Sequence, residues 1–220
     1  CLLGDLLDAV SYMHSWGLVH RDIKPANLLL KEELWKARPV LKLADFGLAA
    51  PCAQDGSLKG WGTVPYMSPE QLLNSCNEYC DMWACGCVFA EMLLGEILVP
   101  QACWGDNAKT LKHLRSGGVD AKLDLAFLRV MCEEGGAELL KELFMFDWSS
   151  RLEAGDALAS PFFKGRRVRD GKAVHVAYGV ACDVCKAPPP FVPAPWLPQW
   201  SEEHAAWFYW RTGRNGCVHK

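Results

Sequence analysis

The stretch from Asp81 to Gly95 constrains this chain more than any other. Met82 to Ala90 runs for nine residues without a charge, between Asp81 and Glu91. A helix drawn through it is apolar on nearly every side, so it has no face to give to water and must sit at the centre of a fold. Nine residues fall far short of the ~20 needed to cross a bilayer, which leaves a buried core helix. Enclosing such a helix takes a sizeable chain. With 220 residues, half of them hydrophobic and 22% charged, this one is long enough for one domain, with or without an appendage. The net charge of −3 and the lack of a basic stripe speak against a nucleic-acid or membrane partner.

Other segments arrange themselves around that helix. Leu3, Leu6, Leu7, Val10 and Met13 have the spacing of one helix face, which predicts a helix over residues 2 to 16. Short apolar runs at Asn27 to Leu30 and Val40 to Ala44, with the polar turn Lys31 to Pro39 between them, predict a small hairpin near residues 28 to 44. Residues 45 to 70 carry Gly at 47, 56, 60 and 62 and Pro at 51, 65 and 69, and read as one long ordered loop. Loops of that length in compact domains are usually functional. Ala137 to Phe146 and Ala154 to Ser160 are further helix candidates. After about Gly165 the composition changes. Six prolines between 188 and 198 favour an extended polyproline segment, and Trp196, Trp200, Trp207 and Trp210 lie in or after it. Eleven cysteines, an odd and scattered set, point to mostly free thiols and hence to the cytoplasm or nucleus. The chain starts in helical pattern at Cys1 without a methionine, so position 1 is expected to be a cut inside a longer polypeptide.

Three motifs follow in order: His20-Arg21-Asp22-Ile23-Lys24-Pro25-Ala26-Asn27, then Asp45-Phe46-Gly47, then Ser68-Pro69-Glu70. Their order and spacing are those of catalytic loop, metal-binding loop and activation-segment end, and the chain resembles the C-terminal lobe of a eukaryotic-type serine/threonine protein kinase. The resemblance covers residues 1–164 and leaves 165–220 as a Pro/Trp-rich, loosely folded tail. It implies a kinase-like α+β fold, with a mainly α C-lobe and a small β-hairpin at the catalytic cleft. The implied activity is phosphoryl transfer from ATP, with Mg²⁺, to Ser or Thr hydroxyls of protein substrates. Such a reaction needs positioning and charge neutralisation more than covalent help. Asp22 is placed to accept the proton of the substrate hydroxyl, and Lys24 to reach the transferring phosphate. Asn27 and Asp45 offer the oxygen ligands that Mg²⁺ prefers.

The same resemblance assigns further roles. His20 and Phe46 look like packing members of the regulatory spine, with Gly47 completing the metal-binding motif. Leu29 resembles the adenine-floor residue, and Ala44 lies next to that pocket. Thr63 matches the threonine that hydrogen-bonds near the catalytic Asp. Glu70 should pair with Arg151 in a buried ion pair, and Asp81 resembles the helix aspartate that braces the catalytic loop. Arg21 is the arginine that meets an activation-loop phosphate in such kinases, which makes Ser57 the implied phosphosite, with a plain loop serine as the alternative. Group features are mixed. Phe89 to Gly95, Phe146 to Leu152 and Ala157 to Phe163 look cyclin-dependent or MAP-type, while Val64 to Glu70 is similar to NIMA-related or MAP-kinase-kinase enzymes.

Departures from the pattern bear on activity. No glycine-rich loop and no strand lysine precede His20. Residues 1 to 220 alone are therefore expected to lack turnover and to hold ATP weakly, and a non-catalytic scaffold with a partner-binding proline-rich tail is the rival reading. In the tail, His175 and Cys182-Asp183-Val184-Cys185 loosely resemble the opening of a zinc finger, with His204, Cys217 and His219 as further candidates. Four ligands are required and no second pair is recognisable, which favours unliganded thiols.

Overall fold

The computed structural model describes residues 2–32, 39–52, 60–117, 135–164, 196–201 and 206–211, the last two segments as backbone. Ser57 and the candidate zinc ligands lie outside the described residues.

Helix α1 (Leu2–Ser15) buries Leu3, Leu6, Leu7, Val10 and Met13, the stripe its spacing demands. It packs against the segments Val40–Leu43, Tyr79–Leu94 and Ala154–Ala159. Strands β1 (Leu18–Val19) and β4 (Ala50–Pro51) form a small antiparallel pair. Between them run β2 (Leu28–Lys31) and β3 (Val40–Leu43), the expected hairpin, with Leu28 opposite Leu43 and Lys31 opposite Val40. Asn27, read from sequence as the start of the strand, belongs instead to a 3₁₀ turn, Pro25–Asn27. Proline at the turn's first position has no N–H to lose and a preset φ, which favours the turn there.

Helix α3 (Tyr79–Leu94) is the central element: every residue from Cys80 to Glu91 is buried. Gly95, at φ 69°, ends it by donating its N–H to Glu91 O. Around α3 stand α2 (Pro69–Leu72), α4 (Asn107–Arg115), α5 (Gly136–Leu143) and α6 (Ala154–Ala159). Aromatic contacts knit the shell, with Trp83 edge-on to Phe144 at 5.0 Å and Phe89 against Phe162 at 5.3 Å. Gly86 lets α3 and α5 approach: a Cβ there would lie 3.2 Å from Leu143 Cβ and 3.3 Å from the Phe144 ring.

The supposed single loop of residues 45 to 70 contains structure of its own: β4, a 3₁₀ turn at Val64–Tyr66 and the start of α2. The tail also departs from its composition. Trp196–Ser201 and Ala206–Arg211 form strands β5 and β6, which join the hairpin in the order β3-β2-β6-β5. The six described cysteines outside the tail are free thiols. Among the described residues, no helix is long and apolar enough to cross a membrane.

Candidate active site

The site is built on the short loop between β1 and β2, which cannot hold its shape by local forces alone. Arg21 sits at φ 70°, a left-handed conformation uncommon for a side chain with a Cβ. Asp81, in the first turn of α3, supplies the restraint. Its Oδ2 accepts from His20 N and its Oδ1 from Arg21 N, both at 2.8 Å, and Oδ2 also meets His14 Nε2 at 3.0 Å. A carboxylate buried to 1% exposure is thereby surrounded by donors, as a buried charge requires.

His20 is tied on both ring nitrogens. Asp22 N donates to Nδ1 at 3.3 Å, so the proton resides on Nε2, which donates to Ala44 O at 3.1 Å. That bond reaches from the loop between β1 and β2 to the end of β3. The His20 ring also meets Phe46 at 5.4 Å. Asp45, between Ala44 and Phe46, is another left-handed residue at φ 62°, and its Oδ1 accepts from Gly47 N at 3.2 Å. Its carboxylate faces solvent.

Three side chains close on Asp22. Thr63 Oγ1 donates to Asp22 Oδ1 at 2.6 Å. Lys24 Nζ donates to Asp22 Oδ2 at 2.6 Å and to Thr63 Oγ1 at 2.9 Å. Asn27 Nδ2 donates to Asp22 O at 2.8 Å and to Oδ2 at 3.2 Å. Each oxygen of Asp22 thus has a fixed direction, and its charge is matched by the Lys24 ammonium. Asn27 commits its NH₂ end inward, which leaves its amide oxygen as the end able to ligate a cation. With the exposed Asp45 carboxylate this is a one-amide, one-carboxylate donor set. It suits Mg²⁺, which keeps several waters and is held by one or two protein oxygens plus phosphates. Among the described residues no cluster of three or more His, Cys, Asp or Glu could hold a metal. Leu29 and Ala44 are half-buried on β2 and after β3.

Glu70 and Arg151 form a two-pronged ion pair, Nη1 to Oε1 at 2.6 Å and Nη2 to Oε2 at 3.1 Å. The guanidinium also donates to Tyr79 O and Met145 O and lies over the Trp83 ring. Arg21 Nε donates to Leu48 O at 2.7 Å.

Sequence reasoning missed Gln71. Its Oε1 accepts from Ser68 N while Ser68 Oγ accepts from Gln71 N, a reciprocal cap at the start of α2. Its Nε2 donates to both Arg21 O and Trp61 O, so one amide joins the loop between β1 and β2 to the segment leading to Thr63. The Ser-x-x-Gln spacing could have shown the cap, but nothing in it could show the reach to Arg21. Gly62 is required beside it: at φ 145°, a Cβ would stand 2.5 Å from Arg21 O.

A family profile described as protein kinase domain matches residues 2–163. The serine/threonine-protein kinase bur1 of Neurospora crassa is 36% identical over 198 residues, covering 74% of this chain and 34% of the relative. The mitogen-activated protein kinase hog1 of Blastobotrys adeninivorans is 30% identical over 186 residues, covering 73% and 44%. The serine/threonine-protein kinase PKZ1 of Phytophthora infestans is 41% identical over 173 residues, covering 72% and 42%. The chain thus spans between a third and a half of the length of these relatives.

Proposed function

The chain belongs to the protein kinase family, and on that premise we propose that it carries the catalytic half of an ATP- and Mg²⁺-dependent protein serine/threonine kinase. The observation that carries this reading is the closed set of hydrogen bonds around Asp22. Thr63, Lys24 and Asn27 fix both carboxylate oxygens, so Asp22 can orient a substrate hydroxyl and take its proton without first reorganising. The ammonium of Lys24 then offsets charge on the phosphoryl group in flight. Asn27 and Asp45 would hold Mg²⁺, which when bound neutralises charge on the nucleotide phosphates. Leu29 and Ala44 offer an apolar floor for the adenine. His20, Arg21, Asp81 and the Glu70–Arg151 pair keep these groups in register, whereas Phe46, expected to pack, is 55% exposed and its one ring contact among the described residues is with His20. Protein substrates are the partners this chemistry needs, and an intracellular setting agrees with the free thiols.

In the full-length protein, Asp22→Asn should lower kcat by about 10²–10⁴-fold, the usual value of a positioned general base, with nucleotide affinity little changed. Asp45→Asn should instead weaken Mg·ATP binding. Wild-type turnover in both variants would refute the assignment.

A further inference from the structure

The described tail is part of the catalytic sheet. Strand β6 runs antiparallel to β2, with Leu30 opposite Trp207 and Lys31 opposite Ala206, and β5 pairs with β6 over its whole length. Without β6, the backbone groups that β2 turns towards it at Leu30 and Lys31 would be unpaired, and a lone two-stranded hairpin is marginally stable in water. Strand β6 also lies against the Pro25–Asn27 turn. The tail therefore abuts the turn that carries Asn27 and the strand that carries Leu29.

We propose that the open edge of β2 is a strand-addition site whose occupant is residues 196–211 of the same chain, and that this addition holds the platform from Asn27 to Leu30 in place. The tether makes the capture intramolecular, which raises the effective concentration of β6 at its site. Widening the hairpin to four strands orders β2 before any ligand arrives, and preordering of that kind lowers the cost of binding. A partner that seizes the tail would, by the same coupling, loosen the turn that carries Asn27. The bearing on nucleotide binding rests on the kinase reading above, but the strand addition does not.

The test is hydrogen–deuterium exchange on the 220-residue chain without nucleotide, so its outcome is independent of whether the chain binds ATP. Successive residues of a strand between two neighbours direct their backbone groups to opposite sides, so one of Ala206 and Trp207 bonds towards β2 and the other towards β5. Proline at either position removes an N–H. In Ala206→Pro or Trp207→Pro, the amide of Leu30 or Lys31 that bonds towards β6 should exchange about fivefold faster or more, the equivalent of one lost hydrogen bond, with α1 and α3 unchanged. In the wild type, residues 28–31 and 206–211 should open together as urea is raised, a readout that needs no variant. Equal exchange at 28–31 in wild type and both variants, or separate opening in urea, overturns the proposal. So does protection at 28–31 that rises with protein concentration, since the occupant would then be a second copy.

Discussion

Replacing Arg151 by methionine tests how the lower half of the site is held. Its side chain is 0% exposed and that of Glu70 is 9%, so the pair belongs to the buried regime and not to the exposed one. Exposed pairs are worth about 0.2–1 kcal/mol, whereas removing one partner of a buried pair costs about 3–5 kcal/mol. The structure says why the higher figure applies. Arg151→Met leaves the Glu70 carboxylate with the weak Cys80 thiol contact at 3.7 Å, and removes the donors that serve Tyr79 O and Met145 O. Domains of this size lose about 2–4 °C of Tm per kcal/mol, so Tm should fall by roughly 6–20 °C. Glu70→Gln keeps shape and one acceptor, and should cost about 1.5–3 kcal/mol. Combining Glu70→Gln with Arg151→Met should cost less than the sum, because the stranded charge is gone. Urea unfolding followed by far-UV circular dichroism measures all three. A loss under about 1 kcal/mol for Arg151→Met would refute the burial argument.

What could be read from sequence follows from how each signal is written. Helix α3 was legible because Met82 to Ala90 offers water nothing, and α1 because five residues share one face. The motif around Asp22 was legible as chemistry but not as geometry. Thr63 lies 41 residues away from Asp22, and only the fold brings their oxygens to 2.6 Å. Arg21 gives no hint of its left-handed backbone, which is imposed from outside by Asp81. Helix α4 escaped notice because it is largely polar and buries only Thr110, Leu111 and Leu114; its one local signal is Asp106, whose side chain accepts from Lys109 N. Strands β1 and β4, two residues each, are too short to carry a period. Strand β5 was hidden by Pro198 and by the five prolines that precede it in the sequence. Pro198 is compatible with a strand here because β5 is the outer edge of the sheet, where every second residue turns its backbone groups away from the neighbouring strand.

Gly86→Val should destabilise by about 1–3 kcal/mol, read from the urea midpoint, because the new side chain must push Leu143 and Phe144 away from α3. Alkaline pH should weaken the fold through its thiols. Burial, and then the hydrogen bond to Glu78, raises Cys52 from 9.0 to about 11, and burial raises Cys85 and Cys87 as well. Folded values above unfolded ones mean that this stability is fully present below pH 9 and is lost as pH rises towards and beyond 11. Urea midpoints taken from neutral pH upward in reducing buffer should decline over that window, and less so in Cys52→Ser; a flat profile refutes it. Asp81→Asn probes the restraint on the loop that carries Asp22. The carboxylate faces donors alone, from His20 N, Arg21 N and His14 Nε2. An amide in its place must turn an NH₂ towards one of those N–H groups, so at least one charge-assisted bond becomes a donor–donor contact. Losing a hydrogen bond to a charged group costs about 1.5–3 kcal/mol, and the left-handed Arg21 has no local means of holding itself. Amide exchange at His20 to Asp22 should therefore quicken more than exchange in α1 or at the middle of α3. Unchanged exchange at those three residues would mean that the loop keeps its shape without Asp81, and that the strain at Arg21 is carried by Gln71 and Leu48 instead.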